Sequence, residues 1–473
     1  MKNTKYRHIV LFALGALSLS GPVHATSLLE VYQQALQGDP QIHEAEARRL
    51  AALEAKPQAR GALLPQLSLS GDITRTDFGG TSIQIDSDGF IGSLVSASES
   101  TTTRWQFSLR QTLFRWDQLV GLRRANKIVA KAEAQREFAQ QDLIVRVAQR
   151  YFDVLAAEDR LTSINADRRA IARRLEQARQ RFEVGLIAIT DVQESQAAYD
   201  KSVADEIGAK RSLATTREFL REITGEYVSN LDAPGDDFPL LNPEPNIEAR
   251  WIKMSLSQNL NLVASRLDER LARDEISFRR NGHYPSVELV ASTGRQDTTA
   301  DRSFNNGPFI PADSDGRSDS IGVQFNLPLF TGGSTTSRVR EAVYLHRASR
   351  EQLQRISRET ERQARDAFLG VLSEISRVKA LKQAVASSKT ALQATQAGYD
   401  VGTRTIVEVL NSQFALYASI TNHYQSRYDY ILNVLRLKQA AGSLRVQDLE
   451  QIDQWLKNRP TPEEALAAGE ETS

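Results

Sequence analysis

The side chains of this 473-residue chain that could do covalent or metal chemistry are few and scattered. Past the first 25 residues, His43, His283, His346 and His423 stand far apart. None falls in the H-E-x-x-H spacing that puts two imidazoles on one helix face. There is no cysteine, which removes thiolate nucleophiles, thiolate metal sites and disulfides. There is no G-x-S-x-G elbow, and Gly332-Gly333 lacks the Lys-Ser/Thr of a phosphate loop. The chain is therefore read as a non-enzyme, with no catalytic residue, no metal and no cofactor. What remains is hydrogen-bonding chemistry concentrated in two matching strings, FEVGLIAITDVQESQ at 182–196 and YDVGTRTIVEVLNSQ at 399–413. They carry the carboxylates Asp191 and Glu408, the phenol Tyr399 and the guanidinium Arg404. A guanidinium offers five donors in a fixed fork and a phenol offers one, and both suit a carboxylate acceptor. On pattern alone Tyr399 and Arg404 pair locally at a helix end, and Glu408 lies on a solvated helix face.

The two strings belong to a longer internal duplication. Val184-Gly185 recurs as Val401-Gly402, Ile189 as Ile406, Asp191 as Glu408 and Gly225 as Gly442. Upstream, Phe152 answers to Phe368, Leu113-Phe114 to Leu329-Phe330 and Pro65 to Pro285. The period is far too long for a short-repeat solenoid, so the chain builds one supersecondary unit twice. The expected organisation is a leader at 1–25, a first repeat at 26–242, a second at 243–445, and a segment at 446–473 with a disordered tail.

Lys2, Lys5 and Arg7 precede an apolar run from Ile9 to Leu19, and Val23-His24-Ala25 offers small residues for a peptidase. This reads as a cleaved export signal, too short to span a bilayer. Lacking cysteine, the new terminus carries no acyl anchor. Lys and Arg balance Asp and Glu at 59 each, which leaves no basic footprint for nucleic acid.

Four short segments alternate apolar and polar residues. At 66–74, Leu67, Leu69 and Ile73 oppose Ser68, Ser70, Asp72 and Thr74; at 103–112, Trp105, Phe107 and Leu109 oppose Arg104, Gln106, Ser108 and Arg110. In the second repeat, where the strand pair spans 285–328, Val287, Leu289 and Ala291 oppose Ser286, Glu288 and Ser292, and Ile321, Val323, Phe325 and Leu327 alternate with Ser320, Gly322, Gln324 and Asn326. Period-two alternation over about ten residues is what a membrane β-strand needs. Polar loops are expected at 75–102 and 296–318. Four strands cannot close a barrel, and an open edge in hydrocarbon leaves amides unsatisfied. Copies of the chain must therefore complete it, and three copies make the smallest closed assembly with a lumen.

The rest reads as helix. Segments 115–183 and 331–400 contain no proline, and roughly 70 residues at 1.5 Å each give helices of about 100 Å. Shorter helices return at 187–224 and 404–441, and others lead into the strands at 27–63 and 246–281. The fold class is thus mainly α with a small β part: duplicated long helical hairpins forming an α-barrel, plus four strands contributing to a trimeric transmembrane β-barrel. A secreted coiled-coil structural envelope protein would account for the helices but not for four amphipathic strands of membrane length.

On RFEVGLIAITDVQ, AGYDVGTRTIVEVLNS, Asp39-Pro40 and the LLPQLSLSG entry to the first strand, the chain resembles the TolC family of outer-membrane export channels over nearly its whole length. The resemblance implies a homotrimer with a twelve-stranded barrel in outer-membrane lipid, running into a twelve-helix tunnel across the periplasm. It implies a passive duct for multidrug efflux or type I protein secretion, used by an inner-membrane pump and its periplasmic adaptor. It also implies roles for residues at the tips: Thr190 and Asp191 as acceptors and Tyr399 and Arg404 as donors of a gate network, and Val184-Gly185-Leu186 and Val401-Gly402-Thr403 as adaptor-docking tips. Glu408 and Asn411, one helical turn apart, match a two-tier acidic ring at the entrance. Here the second tier is Asn rather than Asp, which halves the ring's formal charge.

Overall fold

The computed structural model describes residues 26–85, 91–228, 230–235 and 238–457. The expected leader at 1–25 and the tail beyond Arg459 lie outside the described residues. In chain order the elements begin with α1 (Leu28–Gly38), α2 (Pro40–Leu53) and α3 (Ala55–Gly61). β1 (Gln66–Ile85) and β2 (Ile91–Phe114) follow, then α4 (Trp116–Glu183) and α5 (Ile189–Thr224). After the short β3 (Ala233–Pro234) the order is repeated: α6 (Glu248–Gln258), α7 (Leu260–Arg279), β4 (Ser286–Phe304), β5 (Ile310–Pro311), β6 (Ser314–Asn326), α8 (Ser334–Asp400) and α9 (Ile406–Ala440). The chain's described part closes with α10 (Val446–Asp453) and β7 (Leu456–Lys457), which pairs with β3 and ties the C-terminal segment to the junction between the repeats.

The four long strands form one antiparallel sheet in the order β1-β2-β4-β6, with β5 adding a short pairing to β4. Among the described residues, its two outer edges, on β1 and β6, have no partner strand. One face is apolar and uncovered: Leu69, Ile73, Ile321 and Phe325 are all exposed. No helix among the described residues is long and apolar enough to cross a membrane.

The strands run much farther than the alternation indicates. β1 has 20 residues and β2 has 24, so most of the polar loop expected at 75–102 is ladder instead. Likewise β4 continues to Phe304 and β6 begins at Ser314, inside the loop expected at 296–318. At about 3.3 Å per residue β1 reaches roughly 65 Å, more than twice a hydrocarbon core. Outside the lipid neither face must be apolar, so alternation disappears while pairing persists. Polar cross-strand pairs take over there. Thr102 meets Thr298 at 3.1 Å, Arg75 meets Glu99 at 3.5 Å and Arg295 meets Asp315 at 2.6 Å.

The lead-in helices are also broken, not continuous as expected over 27–63 and 246–281. Asp39 ends α1 and caps α2, accepting from Gln41 N at 3.1 Å with Pro40 at the first helical position. Asn259 does the same between α6 and α7, accepting from Leu262 N at 3.1 Å. Each break abuts the end of a returning helix. Asn259 Nδ2 donates to Ala440 O at 3.0 Å, and a Cβ on Gly442 would sit 2.3 Å from Gln258 O. A Cβ on Gly38 would sit 2.4 Å from Thr224 O at the equivalent joint.

The main core lies at this level and draws on both repeats. Tyr151 and Phe152 of α4 are almost fully buried, and Phe152 stacks on Tyr428 of α9 with ring centroids 5.4 Å apart. The buried phenols are satisfied. Tyr428 OH donates to Asp159 Oδ2 at 2.5 Å, and Tyr151 OH donates to Asp232 O at 2.8 Å. Burial pushes the Tyr151 phenol far above its ordinary range. A second, separate cluster of Leu175, Ala178 and Val192 lies near the turn of the α4–α5 hairpin.

Gly442 combines a positive φ of 71° with the close approach to Gln258. Gly442→Ala is therefore expected to destabilise the fold by at least ~1 kcal/mol. Gly61→Ala, where nothing lies within 4 Å of the added methyl, should be near neutral. Thermal denaturation of the two variants side by side checks this.

Candidate functional site at the hairpin tips

Both hairpins turn through the same backbone device. At the end of α4, Leu186 N donates to Arg181 O at 2.8 Å and Gly185 N to Phe182 O at 2.9 Å. At the end of α8, Thr403 N donates to Gly398 O at 2.8 Å and Gly402 N to Tyr399 O at 3.0 Å. These paired bonds satisfy the last helical carbonyls and require a left-handed residue, supplied by Gly185 at φ 73° and Gly402 at φ 76°. The turns carry Val184, Leu186 and Val401 at 70%, 72% and 74% exposure, beside Thr403. Three large aliphatic groups are thus held out into solvent on these turns and belong to no core.

The returning helices start differently, and the difference decides which carboxylate is free. In α9 the N-cap is Thr405, and a full capping box forms. Thr405 N donates to Glu408 Oε2 at 2.8 Å, and Glu408 N to Thr405 Oγ1 at 3.4 Å. Arg404 Nη1 adds a bond to Glu408 Oε1 at 2.6 Å. The Thr405 backbone donor and then Arg404 hold the Glu408 carboxyl below its usual range. In α5 the equivalent N-cap is Ala188, which has no hydroxyl to offer. Asp191 stands where Glu408 stands in the second copy, and among the described residues neither Asp191 nor Thr190 makes a side-chain hydrogen bond.

Within one chain, Tyr399 and Arg404 thus do not reach Thr190 or Asp191. Arg404 turns back onto Glu408, the local pairing that residue pattern favours, because a guanidinium one turn from a carboxylate needs no further ordering of the chain. Within the single chain Glu408 is accordingly a helix cap with a counter-ion. Asn411 lies in a groove of about 910 Å³ between α4–α5 and α9, near Asp167, Lys201 and Phe414. Tyr399 packs under Arg181 of α4, with the guanidinium carbon 5.5 Å from the ring centre.

That last contact belongs to a set of links that sequence reasoning missed. Near the tips α4 is joined to α8 and α9 by polar side chains. Arg181 approaches Asp400 at 3.6 Å. Arg174 Nε donates to Gln413 Oε1 at 2.8 Å, and its Nη1 donates to Gln396. Gln413, 1% exposed, donates in turn to Asp167 Oδ1 at 2.5 Å. Burial pulls the Arg174 guanidinium below its ordinary range and pushes the Asp167 carboxyl above its own. Nothing in the local pattern marks Arg174 among the many arginines of α4; only Ser195-Gln196 recurring as Ser412-Gln413 hinted that Gln413 mattered. Among the described residues no group of histidines and carboxylates is placed to hold a metal.

Comparison with known proteins accounts for this architecture. The outer membrane efflux protein family model matches residues 31–226 and 251–443, one match to each repeat. The chain belongs to that family. It is 38% identical over 450 residues to outer membrane protein TolC of Vibrio cholerae, covering 94% of this chain and 98% of that one. It is also 28% identical over 462 residues to the alkaline protease secretion protein AprF of Pseudomonas aeruginosa, covering 96% and 92%. Among solved structures, the Campylobacter jejuni CmeC outer membrane channel superposes with a TM-score of 0.70 at 15% identity, covering 97% of this chain and 98% of that one. The family member described here is an outer-membrane channel-tunnel and not an enzyme, with a small β part in the membrane and a long helical part in the periplasm.

If the Asp167–Gln413–Arg174 chain couples the hairpins, Arg174→Ala and Gln413→Ala should not add. A double-mutant cycle read by hydrogen exchange of α8 and α9 near the tips is expected to give ~1–2 kcal/mol of coupling. Additive effects would reduce these bonds to bystanders.

Proposed function

We propose that the tips form a gated entrance, opened by spreading α4–α5 away from α8–α9. The observation that carries this is the contrast between the two kinds of contact. At the level of Tyr151 and Tyr428 the repeats share an apolar core, whereas toward the tips α4 meets α8 and α9 through Arg174, Arg181, Gln396, Asp400 and Gln413. Hydrogen bonds exchange with water at small net cost, while a packed core does not separate without exposing apolar area. Each tip is tied together on its own, α4–α5 by Leu175, Ala178 and Val192 and α8–α9 by the Ser412 to Thr395 hydrogen bond at 3.3 Å. The hairpins can therefore part as units.

Three copies close the barrel through the free edges of β1 and β6, and the homotrimer serves an inner-membrane pump through a periplasmic adaptor. The exposed Val184, Leu186 and Val401, with Gly185, Gly402 and Thr403, are the surface we assign to the adaptor. In the trimer the uncommitted Thr190 and Asp191 of one protomer are acceptors that donors of a neighbouring protomer can use, and Arg404 is the donor next to the entrance. Cargo of either kind, protein or drug, is compatible with a passive duct.

Tyr399→Phe combined with Arg404→Ser is expected to raise single-channel conductance in planar bilayers. Unchanged conductance would remove these residues from the gate.

The entrance ring has a second test. Glu408 attracts divalent cations only in proportion to its unpaired charge, because field focusing acts on net charge in the constriction. Block by divalent cations from the periplasmic side should be modest in the native channel. It should strengthen in Asn411→Asp and in Arg404→Ser, and vanish in Glu408→Gln. Block that persists in Glu408→Gln would place Glu408 away from the pore.

A further inference from the structure

A second concentration of charge lies at the other end of the helical part, directly beneath the sheet. α4 starts two residues after β2 ends, and α7 leads into β4, so the α4–α7 groove hangs below the β2–β4 pair. Arg123 and Lys127 of α4 face Arg270, Arg273 and Arg280 of the α7 segment across a cavity of about 500 Å³. Asp274 is its one carboxylate, and it is taken by Lys127 at 2.5 Å. The neighbouring Glu275 is taken by Arg124 at 2.5 Å and Arg279 at 2.6 Å. Among the described residues the side chains of Arg270, Arg273 and Arg280 make no hydrogen bond or ion pair. Spaced three and seven residues apart, they share one face of α7 and its extension.

Like charges crowded into one groove repel, and a fold with so many carboxylates elsewhere could have paired them. Their position explains what they face. The upper rim of the groove is an aromatic pair, Trp116 and Tyr284, in edge contact at 5.7 Å. Trp116 Nε1 donates to Ser277, which lines the groove, and Arg123 lies over the Trp116 ring at 5.6 Å. Trp and Tyr mark the level of the lipid headgroups in membrane barrels. The helices contact one another in the sequence α3, α4, α7, α8. The groove therefore lies within the protomer's wall, between α4 and α7, and not at its α3 or α8 side.

We propose that this groove binds the phosphodiester headgroup of an anionic phospholipid in the leaflet that meets the helices. Arg273 and Arg280 fork onto the phosphate oxygens, and the long stem of Arg270, lower on α7, reaches up to complete the shell. The lipid's acyl chains then lie against the apolar face of β2 and β4 above the aromatic rim, so one molecule spans headgroup and hydrocarbon contacts together. Basic residues beside a membrane surface each favour anionic lipid.

Native mass spectrometry of the detergent-solubilised trimer, titrated with phosphatidylglycerol or phosphatidylethanolamine, tests this. The wild-type protein should retain phosphatidylglycerol in preference, up to one molecule per protomer. Replacing Arg270, Arg273 and Arg280 together with Gln should weaken retention on the order of 100-fold, with trimer mass and helical circular dichroism unchanged. Arg273→Gln alone should weaken it several-fold, and serves if the triple variant does not assemble. Arg355→Gln with Arg362→Gln, exposed on α8, should have no effect. Equal retention of the two lipids, or undiminished retention in the Arg variants, overturns the proposal. Displacement of phosphatidylglycerol by millimolar inorganic phosphate also overturns it, since the groove would then be a site for free phosphate.

Discussion

Everything in this molecule follows from two rows of backbone amides and carbonyls that one chain cannot satisfy. β1 and β6 end the sheet with open edges, and the face between them carries Leu69, Ile73, Ile321 and Phe325. In hydrocarbon an unpaired amide costs several kcal/mol, and a strand edge presents one at every second residue. Only a closed ring of strands removes that cost, so the protomer is a sector of a cylinder. The helices inherit the same geometry. Each strand end continues into a helix, and α3, α4, α7 and α8 stand side by side as the wall of a tunnel whose radius the barrel sets.

The duplication is more than a repeated outline, because it repeats a joint. Asp39 and Asn259 each break a lead-in helix and cap the next one. Each break receives the end of a returning helix, against Thr224-Gly225 in one copy and Ala441-Gly442 in the other. Stacking short helices end to end lets them match the span of one uninterrupted helix, while the glycine contacts keep the two from sliding. The copies then diverge where their tasks differ. Thr405 closes a capping box on Glu408, whereas Ala188 leaves Asp191 uncommitted. Two positions that look alike in the alignment of the repeats thus have opposite availability.

The helical hairpins and their turns were legible in the residues, since long proline-free runs ending at Gly185 and Gly402 have few alternatives. The membrane portions of the strands were legible too, because lipid on one face forces alternation at Ile321, Val323 and Phe325. The polar continuation of β1 and β2 was not, since a ladder in water imposes no period on Thr76, Ser98 or Thr101. At the tips the residue types were visible but their partners were not. Arg404 can serve Glu408 one turn away or a carboxylate on another element, and only the cap at Thr405 decides in favour of the first. Arg174 and Gln413 are far apart in sequence, and their meeting is a product of packing α4 against α9.

α4 runs without interruption from Trp116 below the sheet to Glu183 at the tip, and the gating proposed above puts its fulcrum at the aromatic core of Tyr151 and Phe152. From there to the tip is about 45 Å of helix. A tilt of ~10° about that fulcrum sweeps Val184 through about 8 Å, while atoms within ~5 Å of the core move by less than 1 Å. The helix is a lever with its pivot set in close-packed aromatics. In the gating proposed above, a partner holding the turn works with a long arm against a few hydrogen bonds, and the barrel stays undeformed provided that α4 bends at the pivot, since a rigid tilt would carry Trp116, ~50 Å beyond it, as far the other way.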